Sequence, residues 1–258
     1  MSKQRRLEAA VQAIQHKHGP QALRKGARPA ATAVPSLSTG LPSLDRALAI
    51  GGLPLGHISE WIGQPTSGKR TLALYALHAA QTQRPGHTPC VYIDLARTFD
   101  PAYAAACHVD LARLVIAAPA SPAQALDLAG DLASSGHFGL IVFDSTAELR
   151  TAGWPANARA AGLRRLGRAL AGQPSALLFL TSADAGEPGA PIDRPASFDL
   201  APQAALRLAV SRQRWLRRCD GSIGGYEARV TVLRSRWSEA GRSAVVRITL
   251  NGVHLEEQ

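Results

Sequence analysis

Seven residues, Gly63-Gln64-Pro65-Thr66-Ser67-Gly68-Lys69, combine two glycines, hydroxyls and a lysine at the spacing that cradles a phosphate chain. The chemistry of such a run is backbone N–H groups turned toward a polyanion at a helix N-terminus, with the lysine as a point charge on the outer phosphates. The position after the lysine ordinarily holds Ser or Thr, whose hydroxyl ligates Mg²⁺. Here it is Arg70, with Thr71 one place late, and a guanidinium has no acceptor to offer a metal. Asp144 closes an apolar run, where such sites keep a metal-orienting carboxylate, so half of a Mg²⁺ site is present and half is missing. Two readings of Arg70 stay open. In the first, which is preferred, it fills the phosphate pocket with Asp144 as its partner, and nucleotide binding is weak or absent. In the second it supplies the positive charge that Mg²⁺ normally brings.

The elements around the loop supply the context it needs. His57–Ile62 reads as a short apolar strand feeding the loop, and Thr71–Gln81 as the helix leaving it. Cys90–Asp94, Gly139–Asp144 and Ala176–Thr181 read as further buried strands, and 122–135 and 157–171 as helices. Ser121, Pro122 and Gly136 supply the cap, first turn and stop of the 122–135 helix. Strands alternating with helices predict a mostly parallel sheet covered on both faces. The last third changes character: Ala205–Val210, Arg214–Arg218, Tyr226–Arg234 and Ala244–Leu250 read as antiparallel strands extending the same sheet. At the other end, Leu7, Ala10, Val11 and Ile14 mark one face of a helix over 5–18, and 26–36 reads as a linker broken by Gly26, Pro29 and Pro35.

The chain has 258 residues, 46% hydrophobic and 19% charged, enough apolar material for one sizeable core. No apolar run is long enough to span a membrane and no signal-peptide core opens the chain, so a cytoplasmic protein is expected. Three cysteines, Cys90, Cys107 and Cys219, lack metal-ligand spacing and read as small buried hydrophobes, and no metal site is expected. His16 and His18 do not share a helix face. Trp61, Trp215 and Trp237 read as strand residues packing on the sheet, while Trp154, in a loop beside Gly153 and Pro155, reads as a partner anchor or as packing over the sheet edge. The net charge of +10 is confined to the ends: +6 over 1–28 and +5 over 201–258, against −1 between them. Such ends suit nucleic acid or an acidic protein, or reflect arginine-rich solvated faces.

Further runs stand in order around the loop. Ser38-Thr39-Gly40-Leu41-Pro42-Ser43-Leu44-Asp45 and Gly51-Gly52-Leu53-Pro54-Leu55-Gly56-His57-Ile58 precede it. Tyr92-Ile93-Asp94, Asp100-Pro101-Ala102-Tyr103 and Leu140-Ile141-Val142-Phe143-Asp144-Ser145 follow it. Together they resemble the core of bacterial RecA over most of the chain, the N-terminal helix included. Within that family the chain is most similar to the ImuA branch, RecA-related proteins of bacterial damage-inducible mutagenesis cassettes. The resemblance implies an α/β RecA-like P-loop core over 37–252, with a mostly parallel central sheet and antiparallel C-terminal strands. An N-terminal helix arm and linker (1–36) would precede it and a short tail (253–258) follow, with no counterpart of RecA's C-terminal domain. It implies a nucleotide site, with ATP as the candidate ligand, from Gly63, Ser67, Gly68, Lys69, Arg70, Thr71 and Asp144. Asp100 and Tyr103 match positions that contact the adenine ring. Arg234 and Arg236 match two cations that reach the neighbouring subunit's nucleotide, and equally read as alternating arginines on a half-exposed strand.

The departures from the family are as specific as the matches. The family's catalytic glutamate falls at Ala96, and a methyl group cannot orient water. Its glutamine switch falls in Thr181-Ser182-Ala183, which has no glutamine. The first DNA loop is shortened, and residues 183–203, in place of the second, carry a net −3 that would repel a phosphate backbone. The resemblance therefore implies a catalytically silent accessory protein with no catalytic residue of its own, binding DNA weakly or indirectly. It would act in translesion synthesis with RecA, an ImuB-type Y-family-like protein and an error-prone DnaE-type polymerase, docking through Leu7, Val11 and Ile14. Two alternatives stay open: an active DNA-dependent ATPase of homologous recombination, and a SulA-like inhibitor of cell division.

Overall fold

A computed structural model describes residues 3–18, 34–83, 88–144, 155–183, 200, 202–249 and 252–253. The chain divides into two units, Met1–Ala33 and Val34–Gln258. The first holds one helix, α1 (Lys3–His18), on which Ile14 is 43% exposed and Val11 is half-buried. The side chain of Leu7 lies outside the described residues, as do Trp154 and the acidic segment 184–199.

The second unit is built on one nine-stranded sheet. A two-stranded ribbon, β1 (Ser36–Leu37) with β2 (Leu53–Pro54), and helix α2 (Pro42–Leu48) precede it. Asp45 of α2 ties the approach to that helix: its Oδ1 accepts from the Thr39 N–H at 3.0 Å and the Thr39 hydroxyl at 2.8 Å. Then come β3 (Ile58–Gly63), α3 (Lys69–Gln83), β4 (Cys90–Asp94), α4 (Pro101–Ala106) and β5 (Leu114–Ala117). They are followed by α5 (Pro122–Ser135), β6 (Leu140–Asp144), α6 (Ala156–Leu170) and β7 (Ala176–Ser182). The chain closes on β8 (Ala204–Arg217), β9 (Ile223–Ser235), β10 (Ser243–Thr249) and β11 (Gly252–Val253). The sheet order is β11-β10-β9-β8-β3-β7-β6-β4-β5, parallel from β8 through β5 and antiparallel from β8 outward.

Alternation along the strands explains why both faces are covered. In β6, Leu140 and Val142 join one apolar cluster with α3 residues such as Leu72 and Leu77. Ile141 and Phe143 join the other, with Leu126 of α5 and Leu163, Leu166 and Leu170 of α6. Phe143 and Phe179, both fully buried, stack with centroids 4.8 Å apart. Ser121 caps α5 by accepting from the Gln124 N–H, and Gly136 ends it with φ +67°.

Several sequence expectations need correction. Arg214–Arg218 is not a separate strand: β8 is continuous through Ser211–Gln213, and bulges at Arg207/Leu208 and Arg212/Arg214 absorb the irregularity. Trp237 lies just beyond β9, edge-on to the His57 ring at 5.2 Å. Cys219 is exposed, unlike the buried Cys90 and Cys107. The strand before the loop is not wholly apolar. Glu60, fully buried in β3, accepts from the Thr181 hydroxyl at 2.9 Å and from Arg207 Nε at 2.7 Å. This pair joins the three adjacent strands β7, β3 and β8 beneath the loop. Among the described residues no helix is long and apolar enough to cross a membrane.

Because removing one partner strands a buried charge, Arg207→Met should lower stability by about 3–5 kcal/mol in chemical denaturation. Val245→Ala, at an exposed position, should change it by less than about 0.5 kcal/mol.

Candidate nucleotide site

The carboxyl ends of β3, β4, β6 and β7 meet at one edge of the sheet, where ligands of open α/β sheets bind. From β3 the chain turns through residues 64–68 into α3, so the loop lies across the N-terminus of a 15-residue helix. Two glycines make the turn sterically feasible. A Cβ on Gly63 would sit 2.4 Å from Ser67 Oγ and 2.6 Å from the Val210 carbonyl oxygen. One on Gly68, at φ +99°, would sit 2.5 Å from Ile248 Cδ1 and 3.0 Å from the Tyr226 hydroxyl. The loop is anchored at its start, where the Ala183 N–H donates to the Gly63 carbonyl at 3.0 Å.

Loop, helix and strand ends enclose a cavity of about 380 Å³, lined by Pro65, Thr66, Ser67, Gly68, Lys69, Arg70, Thr71, Asp144, Ser182 and Tyr226. Lys69, 7% exposed, donates to the carbonyls of Gly63 at 3.1 Å and Gln64 at 3.2 Å. Burial pushes its ammonium down to about 8; the Asp144 carboxylate opposes that shift and the Arg70 guanidinium adds to it. Ser67 is 3% exposed, and among the described residues its hydroxyl has no partner.

Asp144 organises the opposite wall. Its Oδ2 accepts from Arg70 Nε at 2.7 Å and from the Tyr92 hydroxyl at 2.6 Å. Burial, and then the Asp144 charge, hold the Tyr92 phenol protonated far above its ordinary range. Arg70 is also fixed by Nη2 donating to the Thr98 hydroxyl at 2.9 Å. The fold family implies Mg²⁺ at such a site, and these residues do not fit it. The position after Lys69 offers a cation in place of a hydroxyl, and one Asp144 oxygen, Oδ2, already receives two donors. Among the described residues no group of three His, Cys, Asp or Glu side chains could hold a metal ion.

The structure divides the candidate residues. Ser67, Gly68, Lys69, Arg70, Thr71 and Asp144 line one cavity, and Gly63 supports it through its carbonyl. Asp100 and Tyr103 do not line it. The Asp100 carboxylate caps α4, accepting from the Ala102 and Tyr103 N–H groups, and the Tyr103 hydroxyl shares a 2.8 Å hydrogen bond with Thr71. Burial pushes the Tyr103 phenol up to about 12. Ala96, where the resemblance places the family's glutamate, is half-buried and brings only a methyl group. Arg234 and Arg236 are exposed. Arg236 lines a second cavity of about 410 Å³ with Arg164 and Arg168, by His57 and Ile58 at the opposite end of β3. Sequence reading missed Arg212 and Tyr226. Arg212 Nη1 donates to the Thr66 hydroxyl at 3.1 Å, and its guanidinium lies 4.3 Å from the centroid of the Trp215 ring. Nothing local marks these residues, because β8 and β9 reach the loop only through the sheet order.

A parallel sheet with helices on both faces and a phosphate-binding loop after a central strand defines a P-loop α/β protein. The chain belongs to the RecA N-terminal domain family, which matches residues 5–154. It is 43% identical to Protein RecA of Rhodospirillum centenum over 150 residues, 58% of this chain and 41% of that one. It is 39% identical to Protein RecA of Rickettsia prowazekii, again over 58% of this chain and 43% of the relative. The matched stretch thus spans about two fifths of these relatives. The crystal structure of the RadB recombinase superposes with a TM-score of 0.66 at 20% identity, covering 86% of this chain and all of that one. At that identity the likeness concerns the fold.

Since the folded state holds the Lys69 proton less tightly than the unfolded chain, the unfolded state binds more protons between about pH 8 and 10.5. Stability relative to a Lys69→Met variant should therefore rise with pH across that window. With four lysines in the chain, ¹⁵N-lysine NMR can follow the titration directly. Asp144→Asn should move the Lys69 midpoint lower.

Proposed function

We propose that this chain is a RecA-like accessory protein that keeps the nucleotide-binding core without efficient ATP turnover. It supports damage-induced mutagenesis by binding RecA and an ImuB-type partner beside an error-prone DnaE-type polymerase, in the cytoplasm. The observation that carries the reading is the ion pair between Arg70 and Asp144 at 2.7 Å, in place of a metal-binding hydroxyl and a free carboxylate. Ala96 removes the water-activating carboxylate as well, and loss of a general base alone costs about 10²–10⁴-fold in rate. With turnover dismantled and the core retained, what remains for selection to preserve is a surface that other proteins recognise. The family match extends into the N-terminal arm, beginning at residue 5, and that arm carries Ile14 exposed. An apolar side chain on an exposed helix face fits docking on a neighbouring RecA-type core.

Phosphate release should stay at background with ATP and Mg²⁺, with or without single-stranded DNA. DNA-stimulated release that Lys69→Ala abolishes would establish the recombination ATPase instead. Immobilised protein should retain purified RecA and the ImuB-type protein, and Leu7→Asp with Ile14→Asp should weaken RecA retention by about tenfold or more, the loss of one or two apolar anchors. Retention of neither protein would refute the accessory role.

A further inference from the structure

We propose that the cavity binds the triphosphate chain of a nucleotide without a divalent cation, the Arg70 guanidinium taking the place of the metal. The inference rests on the proposed reading of the cavity as a nucleotide site without turnover, and extends it to the ion that accompanies the ligand.

Four observations carry it. First, Arg70 does not close the pocket. It is satisfied by Asp144 and Thr98, yet a cavity of about 380 Å³ stays open beside it. That volume falls within the roughly 300–1,000 Å³ of small-molecule sites. Second, Ser67 lines this cavity and, among the described residues, its buried hydroxyl has no hydrogen-bond partner, an arrangement that costs stability. Third, Lys69 rests on two loop carbonyls, Gly63 and Gln64, acceptors that a phosphate oxygen can replace. Fourth, the bonds to Asp144 and Thr98 use Nε and one N–H of Nη2, so that among the described residues the other guanidinium donors remain for an anion. A guanidinium so fixed can receive phosphate oxygens bidentately without reorganising.

The same geometry disfavours Mg²⁺. That ion demands near-octahedral oxygen ligation at short range and rarely binds through a single carboxylate without substrate oxygens and water. To take an oxygen of Asp144 occupied by Arg70, it would have to displace that guanidinium and then lie beside it. Two cations, Lys69 and Arg70, already line the cavity, and Arg212 stands at the loop through Thr66. Metal-free ATP carries more negative charge than its Mg²⁺ complex and matches these cations better.

The test is calorimetry of the full chain with ATP and, separately, with inorganic tripolyphosphate, each in EDTA and in millimolar Mg²⁺. Phosphate release is measured in the same Mg²⁺ samples. ATP should bind in EDTA at least as tightly as in Mg²⁺, up to about tenfold tighter. Tighter binding in Mg²⁺ by about tenfold or more would overturn the inference, as would absence of ATP binding in both buffers. Tripolyphosphate binding without ATP binding would overturn the nucleotide assignment; ATP binding alone, or both, supports it. Turnover in the Mg²⁺ samples would sink the accessory reading, whereas a metal requirement without turnover sinks only this inference. Arg70→Thr, which restores the hydroxyl and removes the cation, should lose about tenfold or more of the EDTA affinity and gain a Mg²⁺ dependence. Arg70→Ala, which removes the cation without supplying a hydroxyl, should also lose about tenfold or more of the EDTA affinity; full EDTA affinity in a variant that melts like the parent would count against Arg70 as the counterion.

Discussion

The buried carboxylate of Asp144 sets the charge balance at the carboxyl edge of the sheet. Placed at the end of β6 and 2% exposed, it would be costly to hold ionised without partners. Its partners include the Tyr92 hydroxyl and Arg70, which come from the neighbouring elements β4 and the first turn of α3. The ion pair therefore ties the helix that follows the loop to the strand on which a metal would otherwise depend. Lys69, one residue away, feels both members, and its ammonium is shifted by burial against the pull of Asp144. Where a P-loop ordinarily carries a metal-binding hydroxyl, this chain carries a guanidinium fixed on the carboxylate.

Beneath this edge lies a second buried pair, Glu60 with Arg207, braced by Thr181. Its place in the sheet matters more than its energy. β3 runs between β7 and β8, so Glu60 links the strand that enters the loop to the strand that ends at Ser182 and to the first strand of the C-terminal hairpins. Ser182 then lines the cavity. The loop and β7 are also joined through the backbone, where the Ala183 N–H donates to the Gly63 carbonyl.

The basic excess also changes meaning in three dimensions. Of the arginines after residue 200, Arg207 is spent on Glu60, while Arg214 and Arg247 share Glu227. Arg242 donates to the Arg46 carbonyl, and Arg212 is engaged with Thr66 and Trp215. Much of the C-terminal charge thus holds the antiparallel strands together and braces the loop. That makes it weaker evidence for a nucleic-acid partner than the count implies.

The sequence by itself determined the local parts. The loop from Gly63 to Lys69, the helix cap at Ser121 and stop at Gly136, and the apolar runs of β4, β6 and β7 are written in short stretches whose periodicity and turn chemistry act over one or two turns of chain. The RecA motifs, read in order, identified the family and so the sheet. The same residues also marked what is missing at Arg70 and Ala96. The sequence offered Asp144 as a partner for Arg70; only the tertiary structure decided that a cavity stays open beside the pair, because the two residues, far apart in sequence, meet only once β7 sets β3 beside β6. It likewise drew Tyr226 and Arg212 to the loop and buried Glu60 against Arg207. Each of these is a long-range pairing of polar groups, fixed by sheet order and burial, to which hydrophobic periodicity is blind.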